Sequence, residues 1–136
     1  CRIAHEIIQE GFSDKVIQPG VTTTEDVVWW YRERIKELKL DTWFHPSVSV
    51  QRNEADAITL KRPQPLVILP GDFLHVDFGI TYLRLNTDTQ QHAYILKAGE
   101  TEAPLFLREA FKKGNRLQDI LTNNFKEGRT GNEVLK

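Results

Sequence analysis

The stretch "HVDFGITYLRLNTD", residues His75–Asp88, carries aspartates Asp77 and Asp88 on either side of a β-turn predicted near Tyr82–Leu83. Apolar and polar residues alternate before the turn, as in a strand with one buried face. The apolar set is Leu74, Val76, Phe78 and Ile80, and the other set is His75, Asp77, Gly79 and Thr81. Both aspartates therefore belong to the predicted open face of a hairpin.

A regular hairpin with this turn puts Asp77 directly opposite Asp88. Cross-strand Cβ atoms lie about 5 Å apart, where two carboxylates repel unless water screens them, one binds a proton or a cation lies between them. Gly79 leaves the face bare beside Asp77, so that an ion or substrate can approach. Three further polar residues share the face by parity: His75, Gln90 and His92. Hard divalent cations prefer carboxylate oxygens, so the hairpin predicts half of a metal site.

Helical and strand patterns surround this hairpin. Predicted helices cover Arg2–Val16, Glu25–Leu40 with Thr24 as N-cap, and Pro104 to about Asn124. A predicted short strand covers Thr42–Gln51, residues 52–66 are a predicted loop, and the hairpin strands are Phe73–Thr81 and Thr87–Lys97. The sequence therefore predicts an α+β fold.

The end of the chain repeats its beginning. "QPGVTTTEDV" (Gln18–Val27) aligns with "KEGRTGNEVL" (Lys126–Leu135) on Gly20/Gly128, Thr22/Thr130 and Glu25/Glu133, each pair 108 residues apart. Each copy follows an amphipathic helix and opens another. We therefore expect one complete αβ unit over residues 1–100 and the start of a second over residues 101–136.

Composition restricts the partners of the chain. Its 136 residues carry a formal net charge of -1, which gives no electrostatic basis for binding nucleic acid or an anionic membrane. No apolar run approaches the roughly 20 residues that span a bilayer. The chain starts at Cys1 and contains no methionine, so we expect a piece of a longer product. A cytoplasmic location is the expectation, with a secreted or periplasmic one left open.

The hairpin also carries a family resemblance. "PGDFLHVDFGITYLRLNTD" resembles the metal-binding hairpin of the creatinase/methionine aminopeptidase superfamily, the pita-bread metallopeptidases. The form "DFG" is more similar to the Xaa-Pro aminopeptidase and prolidase branch than to the methionine branch. "QPGVTTTED" and "FHPSVSV" fit the order of elements in the family. The resemblance implies a pita-bread fold, of which this chain is the first αβ half plus the first helix of the second half.

The resemblance further implies a dinuclear metallopeptidase of Xaa-Pro type, an aminopeptidase or dipeptidase acting on N-terminal peptide bonds. Asp77 would chelate one of two divalent metal ions (Mn, Co or Zn), and Asp88 would bridge both. The remaining ligands, one His and two Glu, would come from the second half of the same domain, so this chain alone is expected to lack peptidase activity. Expected partners are a peptide substrate and that second half, and a homodimer is left open.

Two departures concern catalysis and substrate. The family places a proton-shuttling His about where Ala57–Leu60 falls, and this sequence has none there. His45 and His75 are the catalytic candidates in its place, although His45 also reads as a loop residue and His75 as a packed or hydrogen-bonded strand residue. Gln90 and Gln91 stand where the family often has Thr-Arg.

Three other interpretations compete with the peptidase. The first is a non-catalytic pita-bread binding module, the second a metal-free creatinase-type hydrolase, and the third a plain α+β domain with solvent-facing aspartates. Retention of both Asp77 and Asp88 argues against the first two. The repeat, together with the aspartate spacing, argues against the third.

Overall fold

The computed structural model describes residues 1–52 and 65–135. The predicted loop over 52–66, including the expected histidine position at 57–60, falls almost entirely outside the described residues. The chain divides into two compact units, Cys1–Glu100 and Thr101–Lys136.

The first unit combines two helices with a small antiparallel sheet. Its elements are α1 (Arg2–Gly11), α2 (Thr24–Glu37), β1 (Ser47–Gln51), β2 (Phe73–Phe78), β3 (Thr81–Tyr82), β4 (Leu85–Asn86) and β5 (Thr89–Tyr94). The strands β1, β2 and β5 form a three-stranded sheet with β2 in the centre, while β3 and β4 form a separate two-stranded hairpin tip. The second unit contains α3 (Leu105–Asn124), which begins one residue after the predicted start at Pro104, and the short α4 (Gly131–Val134).

The predicted hairpin exists, but its turn is centred one residue later than predicted. Leu83 and Arg84 occupy the turn, and both have left-handed φ angles, 50° and 66°, as in the two-residue type I′ loop. When the centre of the turn moves by one residue, each residue of the first strand pairs with a residue two positions further along the second strand. Asp77 consequently faces Gln90, and the prediction that it faces Asp88 is wrong.

One register runs through the whole hairpin. Phe73 pairs with Tyr94 at one end of β2, and Thr81 pairs with Asn86 in the tip. Between these two pairs, Thr87 N donates to Ile80 O at 2.9 Å. Next to the Phe73–Tyr94 pair, Ile95 N donates to Asp72 O, also at 2.9 Å. The strands are shorter than predicted, but the pairing spans nearly the full predicted length.

The core lies between the helices and one face of the sheet. The predicted apolar face is confirmed, because Leu74, Val76, Phe78 and Ile80 are all buried. Tyr31 of α2 lies at the centre of this core, with its ring centroid 5.3 Å from that of Phe78. Its hydroxyl donates to Ile8 O of α1 at 3.2 Å, and burial raises the pKa of the phenol. This single side chain therefore joins both helices to the sheet.

The helix α1 ends at Gly11 and not at the predicted Val16. A Cβ on Gly11 would lie 2.3 Å from the Tyr31 ring, so a glycine is needed where the ring crosses the helix end. Ser13 Oγ then donates to Glu10 O at 2.6 Å and closes the last turn. The last residue of the helix is therefore the glycine against which the ring of Tyr31 packs.

The N-cap of α2 is Thr23, not the predicted Thr24. Thr23 Oγ1 accepts a hydrogen bond from Asp26 N at 3.1 Å, and Asp26 Oδ2 accepts one from Thr23 N at 2.8 Å, which completes a capping box. Thr24 is buried instead, and its Oγ1 accepts a hydrogen bond from Leu66 N at 3.2 Å. The helix ends at Glu37 rather than Leu40.

The repeated loops share two local features, a left-handed glycine and a capping box. Gly20 and Gly128 both have left-handed φ angles, +86° and +83°. Thr130 and Glu133 form a second capping box at the start of α4. The cap equivalent to Thr130 is Thr23 rather than the aligned Thr22, so the first loop is one residue longer than the second.

We expect Gly11→Ala to lower the free energy of unfolding by about 1–3 kcal/mol, because the added methyl overlaps a fully buried ring. Denaturant titration followed by tryptophan fluorescence measures this change. The matched control is Gly114→Ala in α3, where a Cβ meets nothing within 4 Å and the helix gains propensity. Equal transitions for wild type and Gly11→Ala would contradict the packing of Tyr31 against α1.

We expect the capping box of α2 to weaken in acid. Hydrogen bonds from the Thr23 side chain and then its backbone lower the pKa of Asp26 from the ordinary value of 3.8. The contribution of Asp26 is therefore complete above that value and is lost as pH falls through the lower folded-state pKa. Asp26→Asn should cost about 0.5 kcal/mol at pH 7, as for an exposed cap, and the two proteins should converge in acid.

Denaturant titrations between pH 7 and pH 2 measure this convergence. The control is Asp14→Asn, at an exposed position in the turn after α1, which should track wild type at every pH. A deficit of Asp26→Asn that persists unchanged into acid would rule out an ionic contribution to the cap.

Candidate metal centre

Polar side chains occupy the face of the sheet opposite the helices. Ser47, Asp77 and Gln90 form one row across β1, β2 and β5, and Ser49, His75 and His92 form the next row. The predicted grouping of His75, Gln90 and His92 with Asp77 is thus confirmed. The two-residue shift in register preserves it, because an even shift keeps every side chain on its face.

Asp77 has an incomplete set of hydrogen bonds. The residue is half-buried, and its Oδ1 is buried without a hydrogen-bond partner in the part of the chain that the structure describes. A buried oxygen left unpaired costs about 1–3 kcal/mol. Asp77 Oδ1 is therefore an acceptor that no described residue satisfies.

Asp88 lies diagonally across the hairpin from Asp77. Continuing the register past Ile80 and Thr87 brings Asp88 opposite Gly79 on the same face. Diagonal cross-strand neighbours lie about 7–8 Å apart, compared with about 5 Å for direct pairs. The two carboxylates are therefore not direct cross-strand neighbours, and the repulsion expected of such neighbours does not arise. The diagonal spacing leaves room for cations between them.

Gly79 does not leave the face bare, contrary to the prediction. A Cβ there would lie 2.4 Å from Phe44, 2.6 Å from Thr87 O and 2.6 Å from Trp43 Nε1. Trp43 Nε1 donates to Thr87 O at 2.8 Å, and Thr42 Oγ1 donates to Gly79 O at 2.6 Å. The segment Thr42–Phe44 therefore packs over Gly79 and holds the strand that carries Asp88.

The aspartate of the "PGD" turn has a structural environment that sequence reasoning missed. Asp72 is buried, and its Oδ1 accepts from Arg52 Nε at 2.7 Å while its Oδ2 accepts from Arg52 Nη2 at 2.9 Å. Leu69 N also donates to Oδ2 at 2.7 Å. This bidentate pair joins the end of β1 to the start of β2. An arginine directly after β1 and a Gly-Asp turn before β2 were the available signals.

The two catalytic candidates lie in different settings. His75 lies on the aspartate face, and its Nε2 is 3.0 Å from Gln90 Oε1. His45 is exposed in the segment before β1, next to the buried Pro46. The structure therefore places His75 on the face of Asp77, in the adjacent row, and does not place His45 in either row.

His92 pairs with His75 in the adjacent row and stacks on Phe73. Its ring centroid lies 5.0 Å from that of Phe73, with 12° between the ring planes, and 5.0 Å from that of His75. Burial lowers the pKa of His92, and the charge of His75 lowers it further. The neutral form of His92, with a free nitrogen lone pair, is thereby favoured.

The residues present fit part of a centre for hard cations. Among residues 1–52 and 65–135 there is no group of three or more His, Cys, Asp or Glu side chains arranged to hold a metal ion. The unpaired Oδ1 of Asp77 and the diagonal Asp88 supply carboxylate oxygens, which suit divalent cations. The described chain thus offers two of the several ligands that such a centre needs.

This combination of fold and face defines a class of protein. Two helices on one face of an antiparallel sheet, two aspartates on the other face and a repeated loop leading to a further helix form the first αβ half of a pita-bread domain and the start of its second half. The sequence model of metallopeptidase family M24 matches residues 1–136, and the chain belongs to that family. M24 metallopeptidases generally use divalent metals.

A solved structure agrees with this fold. The chain is similar to the prolidase from Thermococcus sibiricus, with a TM-score of 0.58 and 19% sequence identity over 93% of this chain. It covers 32% of that prolidase chain, about a third of its length. No curated protein matches the chain. None of the described helices has the length and apolarity to cross a membrane.

We expect Trp43→Phe to loosen the strand that carries Asp88. The variant keeps a ring over Gly79 but removes the donor to Thr87 O, at a cost of about 1 kcal/mol. Amide hydrogen exchange at Thr87, whose N–H pairs with Ile80 O, should become faster. The matched control is Trp29→Phe, since Trp29 is 53% exposed and Trp43 is 51% exposed. Equal exchange at Thr87 in both variants would contradict a bracing role of Trp43.

Proposed function

We propose that this chain is the N-terminal part of a dinuclear metal-dependent peptidase of Xaa-Pro type, which hydrolyses N-terminal peptide bonds as an aminopeptidase or dipeptidase. The observation that carries the proposal is Asp77, whose Oδ1 is buried and unpaired within the described residues. Membership of family M24 supports the peptidase class. The "DFG" form of the motif supports the Xaa-Pro branch.

Asp77 and Asp88 would hold two divalent cations, with Mn, Co or Zn as candidates. As the family resemblance implies, Asp77 is the chelating residue in this proposal and Asp88 the bridging one. Cations bound there would polarise a scissile carbonyl and lower the pKa of a water. The described residues then have a separate task, which is to fix the two carboxylates relative to each other.

That task falls to the hairpin and the segment Thr42–Phe44. The common register sets the diagonal offset between Asp77 and Asp88. The hydrogen bonds of Thr42 to Gly79 O and of Trp43 to Thr87 O hold the chain on either side of the pair. A shift of the pair by a fraction of an ångström would weaken a preorganised site, so these contacts support precise positioning.

The other participants of the proposed reaction lie outside this chain. One His and two Glu ligands would come from the second half of the same domain, which is the first proposed partner, and a peptide is the second. The catalytic roles of His45 and His75 stay predictions. His75 has the stronger geometric support, because it shares the face of Asp77.

The decisive experiment measures metal in the complete domain, formed by this chain together with its second half. We expect the double variant Asp77→Asn, Asp88→Asn to lose bound Mn, Co or Zn in elemental analysis. Its hydrolysis of an Xaa-Pro dipeptide or tripeptide should fall by more than about 100-fold, since even outer ligand partners are worth 10–100-fold.

The control variant is Asp14→Asn, which removes an exposed carboxylate outside the sheet face and should keep wild-type metal and activity. Equal metal content in the double variant and wild type would overturn the proposal and favour a metal-free binding module. Metal loss together with unchanged hydrolysis would likewise overturn the proposal, because the bound metal would then have no part in the reaction.

A further inference from the structure

A pair of histidines lies on the open face of the sheet, one row away from Asp77. His75 of β2 and His92 of β5 are direct partners in the register, so both side chains project from the same face. Their ring centroids are 5.0 Å apart, with 45° between the ring planes. His75 is half-buried and His92 exposed, so neither belongs to the apolar core.

The ring spacing matches that of two imidazoles sharing one cation. A Zn–N bond is about 2.0–2.1 Å long, and a ring centre lies about 1.1 Å behind its nitrogen. Two imidazoles on a tetrahedral cation therefore have ring centres about 5 Å apart. Because the terminal torsion of histidine is broad, each ring can turn a nitrogen towards a common point without moving the strands.

The neighbours of the pair act as supports for such ligands. Gln90 Oε1 lies 3.0 Å from His75 Nε2, and a carbonyl oxygen can only accept, so the tautomer that makes this hydrogen bond has its proton on Nε2 and its lone pair on Nδ1. Metal-binding histidines commonly donate their other ring N–H to an oxygen in this way. Phe73 stacks on His92 at 5.0 Å and limits the orientation of that ring.

We propose that His75 and His92 form a second metal site, which binds a borderline divalent transition metal such as Zn²⁺ through two imidazole nitrogens. Imidazole suits Zn, Cu and Ni, whereas carboxylates suit harder cations. The sheet face thus carries two sites with different preferences, the nitrogen pair His75/His92 and the oxygen pair Asp77/Asp88. With two protein ligands, the other positions on the cation are left to water. This proposal does not depend on the peptidase function.

The test uses Zn²⁺ alone with the full chain and is read by calorimetry and by histidine ring NMR. A background of Cys1→Ser, Asp77→Asn and Asp88→Asn removes the exposed thiol and the carboxylates as competing ligands. We expect one Zn²⁺ to bind per chain and to shift the ring signals of His75 and His92. Mg²⁺ at the same concentration should produce no shift.

Single substitutions then identify the ligands. His75→Gln and His92→Gln should each weaken Zn²⁺ binding at least about tenfold, and Gln90→Leu, which keeps both imidazoles, should also weaken it about tenfold. The matched controls His5→Gln and His45→Gln should bind Zn²⁺ like the background. Near-ultraviolet circular dichroism of the buried Tyr31 checks that each variant is folded.

Undiminished Zn²⁺ binding in folded His75→Gln and His92→Gln variants would overturn the proposal, as would a background that binds no Zn²⁺. Loss of binding in His5→Gln or His45→Gln, with retention in the other two, would move the site elsewhere and likewise overturn it. The aspartate variants of the complete domain test the peptidase separately. Either proposal can therefore fail while the other stands.

Discussion

The single register of the hairpin from Asp72 to Ile95 is the constraint on which the rest of the structure depends. It turns one face of β2 towards α1 and α2 and leaves the other face for polar side chains. It also determines that Asp77 and Asp88 are diagonal rather than direct neighbours. A slip of one residue would exchange the two faces and bury the polar rows in the core. The apolar core and the candidate centre are therefore consequences of the same pairing.

The register alone does not hold the far end of the hairpin, where the three-stranded sheet has ended. There the Thr42–Phe44 segment replaces a neighbouring strand, because its side chains bond the main-chain oxygens of Gly79 and Thr87. Asp41 extends this contact, since its carbonyl accepts from Thr81 N at 2.8 Å. Only a glycine allows the aromatic pair to come so close. The glycine of the "DFG" sequence therefore has a packing reason that is independent of any ligand.

The sequence was sufficient for the α+β class, the existence of the helices and the face on which each strand residue lies, because these follow from local periodicity. The pita-bread fold came from the family resemblance and the repeat. It was insufficient for quantities that depend on tertiary contact. Leu83 and Arg84 adopt left-handed angles without a glycine or asparagine, so the turn lacked its usual signature and its centre was misplaced. The need for a glycine at the end of α1 depends on Tyr31, 20 positions beyond Gly11, and the environment of Gly79 depends on Trp43. The prediction of which face each side chain lies on was still correct, because the misplaced turn shifted the pairing by two residues and an even shift leaves every side chain on its face.

Asp72 and Asp77 differ in how completely their carboxylate oxygens are hydrogen-bonded. Both belong to the same short motif, but Asp72 accepts from Arg52 and from Leu69 N, whereas Asp77 Oδ1 accepts from no described residue. A carboxylate whose lone pairs are already occupied can bind a cation only by giving up those partners. An oxygen without a hydrogen-bond partner, already partly removed from water, has no partner to lose when it binds a cation. Its interaction with a cation is therefore the more favourable of the two. Asp72 is thus a structural carboxylate, whereas the incomplete pairing of Asp77 is the observation on which its proposed metal role rests.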